Sequence, residues 1–452
     1  MTDSGRKQNN RAVPQGRLSR LGQFGRLAGG VAGGMIAEGA RRLAEGDRPT
    51  MRDMMLTPGN VARLTDRLSH LRGAAMKLGQ MISLDAGDLL PPELSEIMAR
   101  LRDNAHHMPP QQLQRVLAQQ WGQDWRKRFL RFGASPIAAA SIGQVHRATT
   151  LDGRDLAIKV QYPGVRESID SDVDNVATLL RISNLLPDGL DIAPLLAEAK
   201  KQLSEEADYF REGRYLTLFG ELLADAPEYV LPVLDDEFTT DQVLAMGFVA
   251  GKPIETLIDA PQQTRDAAMH LLFRLVMREI FEFGIIQSDP NFANYRYQPE
   301  SGRLVLLDFG AARPITPEIA RGYKRLIIAA LSGDRDAVRE QAVMAGFVSA
   351  VAVSRHRDRI DAMIDVMIDK LMRPEKFDFG DRTFVEPLRN QGMDVAADKA
   401  AWHIPPTDLL FVQRKISGMA LLAARLNVRM DIRALVAEHF AVGSKADHEG
   451  IA

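Results

Sequence analysis

The chain has 452 residues, 45% hydrophobic and 26% charged, which is enough apolar material for two or three domains or one large two-lobed domain. Its formal net charge of -2 provides no general attraction for a polyphosphate, so we expect no nucleic-acid partner. The absence of cysteine excludes disulfides, thiolate metal sites and a cysteine nucleophile, and it fits a reducing compartment. These properties indicate a globular intracellular protein.

The sequence has no run that approaches the roughly 18 consecutive apolar residues of a membrane-spanning helix. The N-terminal stretch MTDSGRKQNNRAVPQGR also lacks the apolar segment of a secretory signal. We therefore expect a cytoplasmic location, with any membrane contact peripheral and on the inner face.

The N-terminal segment contains a glycine-rich stretch after a polar tail that we expect to be disordered over residues 1–16. In LSRLGQFGRLAGGVAGGMIAEGARRL, Gly25, Gly29 and Gly33 recur every four residues. That spacing would suit close helix contact, for example in a homodimer through residues 22–40, or a helix lying in a lipid surface. A loosely ordered helix with scattered glycines is an equally weighted alternative.

The remaining chain alternates helical and strand-like patterns. Residues 51–130 are predicted to be helical, and the sheet begins at about Arg131 with GQVHRATT and DLAIKVQY, which LDG joins in a hairpin. Helices return over about 166–222, VLAMGFV reads as a buried strand, and the chain after Gly251 is mostly helical. This order predicts an α+β fold.

Two polar segments near the middle of the chain predict a metal site. QSDPNFANY supplies Asp289 and Asn294, and LVLLDFGAAR supplies Asp308 after a strand-like run. A hairpin between them would return Asp308 to the end at which Asn294 lies, and such oxygen ligands suit Mg²⁺ on phosphate oxygens. Taken singly, Asp289 could instead form an Asx turn and Asp308 a helix cap.

Lys159 lies in the otherwise apolar strand LAIKV, where a buried ammonium needs an anionic partner. Glu212 is a candidate partner, in a helix predicted to carry Glu205, Glu206, Asp208 and Glu212; a solvated acidic face is the alternative. VLAMGFVAG could offer backbone groups of Met246 and Phe248 to an adenine edge, although any connection between lobes would look similar.

The segment PIAAASIGQVH occupies the position of a phosphate-covering hairpin loop. It carries alanines and a serine where glycines would allow close backbone approach to phosphate. The candidate loop residues are Ala138, Ala139, Ala140 and Ser141. We expect this loop to be stiffer than a glycine-rich one.

The stretch AAMKLGQMISLD places Lys77 and Gln80 within an apolar helical pattern that also contains a glycine. From composition alone, an exposed lysine beside a flexible glycine is the simpler interpretation.

In chain order, LAIK, a helix glutamate, GFVAG, QSDPNFAN and LLDFG resemble the motif set of protein kinases. The catalytic loop departs from that set, because Gln287 and Ser288 stand where His and Arg usually precede the aspartate, and no APE follows DFG. With KLGQ, the alanine loop and EEADYFRE, the chain resembles the atypical UbiB-type (ADCK) kinase-like family, in particular its coenzyme Q biosynthesis members. The resemblance spans about residues 15–430 and includes PPTDLLFVQRKISG near the end.

The resemblance implies a two-lobed protein-kinase-like α+β fold with an N-terminal helical extension packed over the cleft. The expected parts are a tail with the glycine-rich helix (1–50), the extension carrying KxGQ (51–130), an N-lobe with inserted helices at about 166–222 (131–251) and a helical C-lobe (252–452).

The family roles can be carried over by position. Lys159 would hold the ATP phosphates and pair with Glu212, Asn294 and Asp308 would hold Mg²⁺, and Asp289 would take the base position. Lys77 and Gln80 would belong to the extension over the cleft, with Lys77 meeting Glu206 and Asp208.

The resemblance implies an ATP- and Mg²⁺-dependent kinase-like ATPase that assists ubiquinone biosynthesis, acting with quinone-biosynthesis proteins or on lipid intermediates at the membrane. A nucleotide-gated scaffold without catalysis and a protein Ser/Thr kinase are the alternatives. The sequence does not identify a phosphoryl acceptor.

Overall fold

The computed structural model describes residues 108–182, 193–373, 375–396, 398 and 405–449. The predictions for the glycine-rich helix, the run from 51 to 104 and the side chains of Lys77 and Gln80 therefore lie outside the described residues. The chain divides into two units. The first unit runs to Thr217 and includes Val233–Phe248; the second unit comprises Leu218–Pro232 and the chain from Val249 onward.

A five-stranded antiparallel sheet organises the first unit. Its strands are β1 (Phe129–Phe132), β2 (Ala138–Ala139), β3 (Gly143–Thr150), β4 (Asp155–Gln161) and β6 (Val243–Gly247), in the order β1-β3-β4-β6 with β2 paired to β3. The strands predicted from GQVHRATT and DLAIKVQY are confirmed as β3 and β4. Their turn contains Gly153 at φ +88°, a conformation that glycine adopts without steric cost.

Four described helices accompany this sheet: α1 (Pro110–Trp121), α2 (Val165–Ile182), α3 (Ala193–Glu206) and α4 (Tyr209–Leu222), the last of which continues into the second unit. An aromatic cluster fills the core beside α1. Trp121 packs against Phe129 and Phe238 with ring centroids 5.5 Å apart, and its Nε1 donates to the Phe238 carbonyl at 3.0 Å. The half-buried indole therefore has the partner that its polar nitrogen requires.

Gly143, at the start of β3, lies against the neighbouring strand. A Cβ added there would lie 2.4 Å from the Val160 carbonyl oxygen and 3.0 Å from the Tyr209 hydroxyl. We expect Gly143→Ala to lower the free energy of unfolding by about 1–3 kcal/mol, because backbone atoms must move apart. Chemical denaturation measures this loss; Gly220→Ala, where nothing lies within 4 Å, is the control and should be neutral or stabilising. Equal effects of the two substitutions would contradict the prediction.

The second unit combines short sheets with helices. Its strands are β5 (Tyr229–Val230), β7 (Lys252–Pro253), β8 (Ile285–Gln287), β9 (Tyr295–Gln298), β10 (Arg303–Leu306), β11 (Ala312–Pro314), β12 (Phe377–Asp378) and β13 (Arg429–Met430). The four-stranded sheet has the order β5-β10-β9-β7, and the pairs β8–β11 and β12–β13 are separate.

The described helices of the second unit are α5 (Gln262–Arg278), α6 (Pro317–Ser332), α7 (Arg335–Met344), α8 (Ala350–Met372), α9 (Val385–Ala396), α10 (Thr407–Arg425) and α11 (Ile432–Glu449). A π-helical turn, Glu279–Phe283, follows α5 directly. Across the described ranges, no helix has both the length and the apolar character needed to cross a bilayer.

Candidate functional site

Lys159 and Glu212 form a buried ion pair in the first unit. The Lys159 Nζ donates to both carboxylate oxygens of Glu212 at 2.8 Å, and the side chains are only 10% and 2% exposed. Lys159 lies on β4, and Glu212 lies in the first turn of α4. The pairing expected from the sequence is present, and it supplies the anionic partner that a lysine in a buried strand needs.

The acidic residues before Glu212 do not lie on one helix, which corrects the expectation of a single acidic helix. Glu205 and Glu206 end α3, whereas Asp208 lies between the two helices. The Arg211 N–H donates to the Asp208 carboxylate at 2.9 Å, as at a helix N-terminus. Asp208 therefore starts α4, and this break divides the acidic run.

The alanine-containing loop forms a hairpin with the sheet. Ala138 and Ala139 pair with β3, and the Ala140 N–H donates to the Gly143 carbonyl at 2.9 Å. The Ser141 hydroxyl donates to Glu206 Oε2 at 2.9 Å. The loop is thus attached to the end of α3.

The adenine-edge candidates Met246 and Phe248 lie at the end of β6 and just beyond it. The Phe248 N–H donates to the Asp155 carbonyl at 2.8 Å, so the sheet already uses this donor. Of the Phe248 backbone groups, only the carbonyl oxygen would therefore be available to an adenine edge. The sequence had predicted backbone contacts there without specifying the group.

The metal-site candidates meet at one end of a hairpin in the second unit. Strands β9 and β10 pair antiparallel, with Leu306 opposite Tyr295, and the Leu307 N–H donates to the Asn294 carbonyl at 3.0 Å. The hairpin therefore brings the backbone of Asn294 next to the residue that precedes Asp308, as the strand-turn-strand pattern predicted. The Asn294 amide nitrogen donates to Asp289 Oδ2 at 3.3 Å, which brings the second aspartate to the same place.

The local turn interpretation also holds for both aspartates. The Asn291 N–H donates to Asp289 Oδ1 at 3.3 Å, and the Gly310 N–H donates to Asp308 Oδ1 at 3.0 Å. Both are Asx-type turns; Asp308 does not cap a helix, because the strand β11 follows it. These backbone bonds fix the carboxylates and are compatible with a ligand role.

The donor set fits a hard divalent cation. Two carboxylates and an amide supply oxygens of the kind Mg²⁺ prefers, and because the Asn294 nitrogen faces Asp289, the amide oxygen remains for a cation. No group of three carboxylate or imidazole side chains clusters within the described ranges, so this arrangement is not an all-protein metal cage. A cation here would take the rest of its shell from phosphate and water.

The chain contains a second Asp-Phe-Gly tripeptide with the same local geometry. The Gly380 N–H donates to Asp378 Oδ1 at 2.8 Å, as Gly310 does to Asp308. Asp378, however, lies on β12 and pairs with Arg429 at 3.0 Å. The tripeptide alone therefore does not define the candidate site. The site at Asp308 differs from the one at Asp378 because the β9–β10 hairpin brings Asn294 to it.

Lys415 lies in the motif PPTDLLFVQRKISG and was not predicted from the sequence to have a role. Its side chain is 1% exposed in the middle of α10, and its Nζ donates to the Tyr295 hydroxyl at 2.8 Å. One turn later, a Cβ on Gly418 would lie 2.1 Å from Pro290 Cβ, so α10 packs directly on the loop of Asp289. The only sequence signal was a lysine and a glycine within an otherwise apolar helix face.

Comparison with known proteins identifies the family of the chain. Residues 100–342, more than half of the chain, match the model of the ABC1 atypical kinase-like domain. The chain is 37% identical to the mitochondrial atypical kinase COQ8 of Saccharomyces cerevisiae over 95% of its length and 86% of the yeast protein. It is 35% identical to the mitochondrial atypical kinase COQ8B of Rattus norvegicus, over 95% of its length and 81% of that protein.

A solved structure has a similar fold. The complex of Rv3197 with erythromycin from Mycobacterium tuberculosis superposes with a TM-score of 0.58 at 26% identity, over 83% of this chain and 94% of that one.

The fold is therefore of the α+β, two-lobed protein-kinase-like class. The chain belongs to the ABC1 atypical kinase-like (UbiB) family, in the group of the COQ8 kinases of coenzyme Q biosynthesis.

Proposed function

We propose that this protein is an ATP- and Mg²⁺-dependent atypical kinase-like ATPase that assists isoprenoid quinone biosynthesis by acting on lipid intermediates at a membrane. The observation that carries the proposal is the convergence of Asp289, Asn294 and Asp308 at the end of the β9–β10 hairpin. Family membership gives the kinase-like class, and the geometry supports the dependence on nucleotide and metal.

In the first unit, the proposal assigns phosphate binding to Lys159. Its ammonium donates to both Glu212 oxygens, which orients it in a buried strand. The carbonyl of Phe248 is the candidate for the adenine edge. Lys77 and Gln80 would act with Glu206 and Asp208 on access to the site, as the family resemblance implies.

In the second unit, Asn294 and Asp308 are the proposed ligands of Mg²⁺, which when bound would neutralise phosphate charge during transfer. Asp289 would orient the attacking oxygen and accept its proton. Its carboxylate is held for that role by the Asn291 N–H and the Asn294 amide. Gln287 and Ser288, which precede Asp289, are both buried.

The support for a quinone-related role comes from the COQ8 relatives, which are named mitochondrial atypical kinases. For this chain we propose peripheral contact with a membrane, through the glycine-rich segment of residues 18–43. Quinone-biosynthesis proteins or lipid intermediates are the proposed partners.

The experiment is ATP turnover by the full chain, measured as phosphate release with Mg²⁺, with and without anionic liposomes and a phenol that mimics a quinone precursor. We expect Mg²⁺-dependent turnover that liposomes and phenol together raise several-fold. Tight nucleotide binding without hydrolysis under every condition would favour the scaffold. Transfer of labelled γ-phosphate to a protein in trans would favour a protein kinase.

A further inference from the structure

A buried lysine behind the candidate metal site connects three segments of the second unit. Lys415 Nζ lies 2.8 Å from the Tyr295 hydroxyl, 3.4 Å from Glu279 Oε2 and 3.5 Å from Gln287 Oε1. Lys415 and Glu279 are each 1% exposed. A charge in such a place requires close partners, and all three of these are fixed in the fold.

Glu279 is the acidic residue of this cluster. It begins the π-helical turn after α5, an irregularity that is frequent at functional sites. Burial raises the pKa of the Glu279 carboxyl, whereas Lys415 and the backbone N–H of Gln287 oppose this shift. Burial alone would lower the pKa of Lys415, but Glu279 and Tyr295 outweigh it and raise the pKa, so the lysine stays charged.

The partners of Lys415 lead directly to the candidate ligands. Tyr295 follows Asn294 in the chain, and Gln287 precedes Asp289 by two residues. The Gln287 side-chain amide also donates to the Asp308 carbonyl at 3.2 Å. Lys415 therefore contacts the segment of Asn294 through Tyr295. It contacts the segments of Asp289 and Asp308 through Gln287.

Helix α10 also contacts the loop that carries Asp289 and Pro290 through a second residue, Gly418. Gly418 lies one turn after Lys415, and its Cα faces Pro290 so closely that any side chain would clash. Pro290 immediately follows Asp289. Helix α10 thus supports the segment around Asp289 at two successive turns. Lys415 contacts it through Gln287, and the backbone of Gly418 packs on Pro290.

We propose that Lys415 is a positioning residue that holds Gln287 and Tyr295, and through them sets the spacing of Asp289, Asn294 and Asp308 for a divalent cation. The inference rests on the proposed function, because it concerns how the chain prepares the Mg²⁺ ligands. A purely structural ion pair between α10 and Glu279 is the competing explanation. The two differ in whether metal-dependent nucleotide binding or only folding stability depends on Lys415.

The test compares ADP binding in EDTA and in Mg²⁺ for the full chain and for Lys415→Met. We expect the Kd in EDTA to stay within about twofold of the wild type, because the phosphate-binding candidates Lys159 and Glu212 are unchanged. The tightening produced by Mg²⁺ should fall about tenfold. Lys370→Met is the matched control, since it removes a lysine ion pair of the same unit whose partner is Asp381, and it should leave both affinities unchanged.

A gentler variant keeps the proposal testable when Lys415→Met does not fold. Tyr295→Phe keeps the ring and removes the hydroxyl that Lys415 contacts, and we expect it to reduce the Mg²⁺-dependent tightening about threefold. If Mg²⁺ tightens ADP binding by the wild type and by every folded variant to the same extent, the positioning role alone is overturned. The same holds if a variant binds ADP more weakly than the wild type by the same factor in EDTA and in Mg²⁺. A wild-type protein whose ADP affinity does not respond to Mg²⁺ would overturn the proposed function as well.

Discussion

Asp308→Asn is expected to lower Mg²⁺-dependent ATP turnover by roughly 100-fold or more, the scale on which enzymes lose rate when one electrostatic contact to a reacting group is removed. The substitution keeps an oxygen that can accept the Gly310 N–H, so the Asx turn should survive. It removes the negative charge beside Asn294 that a divalent cation needs. Phosphate release at saturating ATP measures the effect.

The chain supplies its own control for this substitution. Asp378→Asn changes the same tripeptide with the same backbone bond to the following glycine, but at a site paired with Arg429. It should leave turnover within about twofold, since an exposed ion pair contributes little to stability. A comparable loss of ATP turnover in both variants would show that the effect comes from a changed Asx turn and not from the loss of a metal ligand.

Glu212→Gln is expected to lower the free energy of unfolding by about 3–5 kcal/mol, because it leaves the Lys159 ammonium buried without its carboxylate. Both oxygens of Glu212 accept from Lys159 at 2.8 Å, and neither side chain is more than 10% exposed. Chemical denaturation followed by far-UV circular dichroism measures the loss. Nucleotide affinity should fall in parallel, because Lys159 is no longer oriented.

Glu237→Gln is the matched control in the same unit. Glu237 pairs with Arg128 and Arg154, yet its side chain is 53% exposed, so solvent screens these contacts. We expect only a small change in stability for this variant. A similarly small effect of Glu212→Gln would mean that water or another group replaces the lost carboxylate.

The sequence was sufficient where a local pattern determined geometry. The runs GQVHRATT and DLAIKVQY predicted β3 and β4, and the strand-turn-strand pattern before Asp308 predicted that it returns to Asn294. The prediction that the acidic run forms one helix was wrong. Asp208 caps the start of α4, and spacing alone does not distinguish an aspartate within a helix from one that caps it.

Lys415 shows what sequence patterns could not provide. A lysine in an amphipathic helix normally indicates the exposed face, and its real surroundings depend on residues far away in the chain. Gln287, for example, precedes it by 128 positions. Likewise, the two Asp-Phe-Gly tripeptides are identical in sequence, and they differ in their neighbours: the hairpin places Asn294 near Asp308, whereas Asp378 pairs with Arg429.

The hairpin that carries Asn294 and Asp308 also has a consequence for how the site forms during folding. Its strands are joined by a short turn with Gly302 at φ +69°, so bringing the two oxygen donors together closes only a small loop and loses little chain entropy. Contacts of such short sequence separation form quickly, whereas the docking of α10 requires long-range closure. The proposed ligand pair can therefore form early in folding, and the proposed metal site would be complete only after α10 has docked.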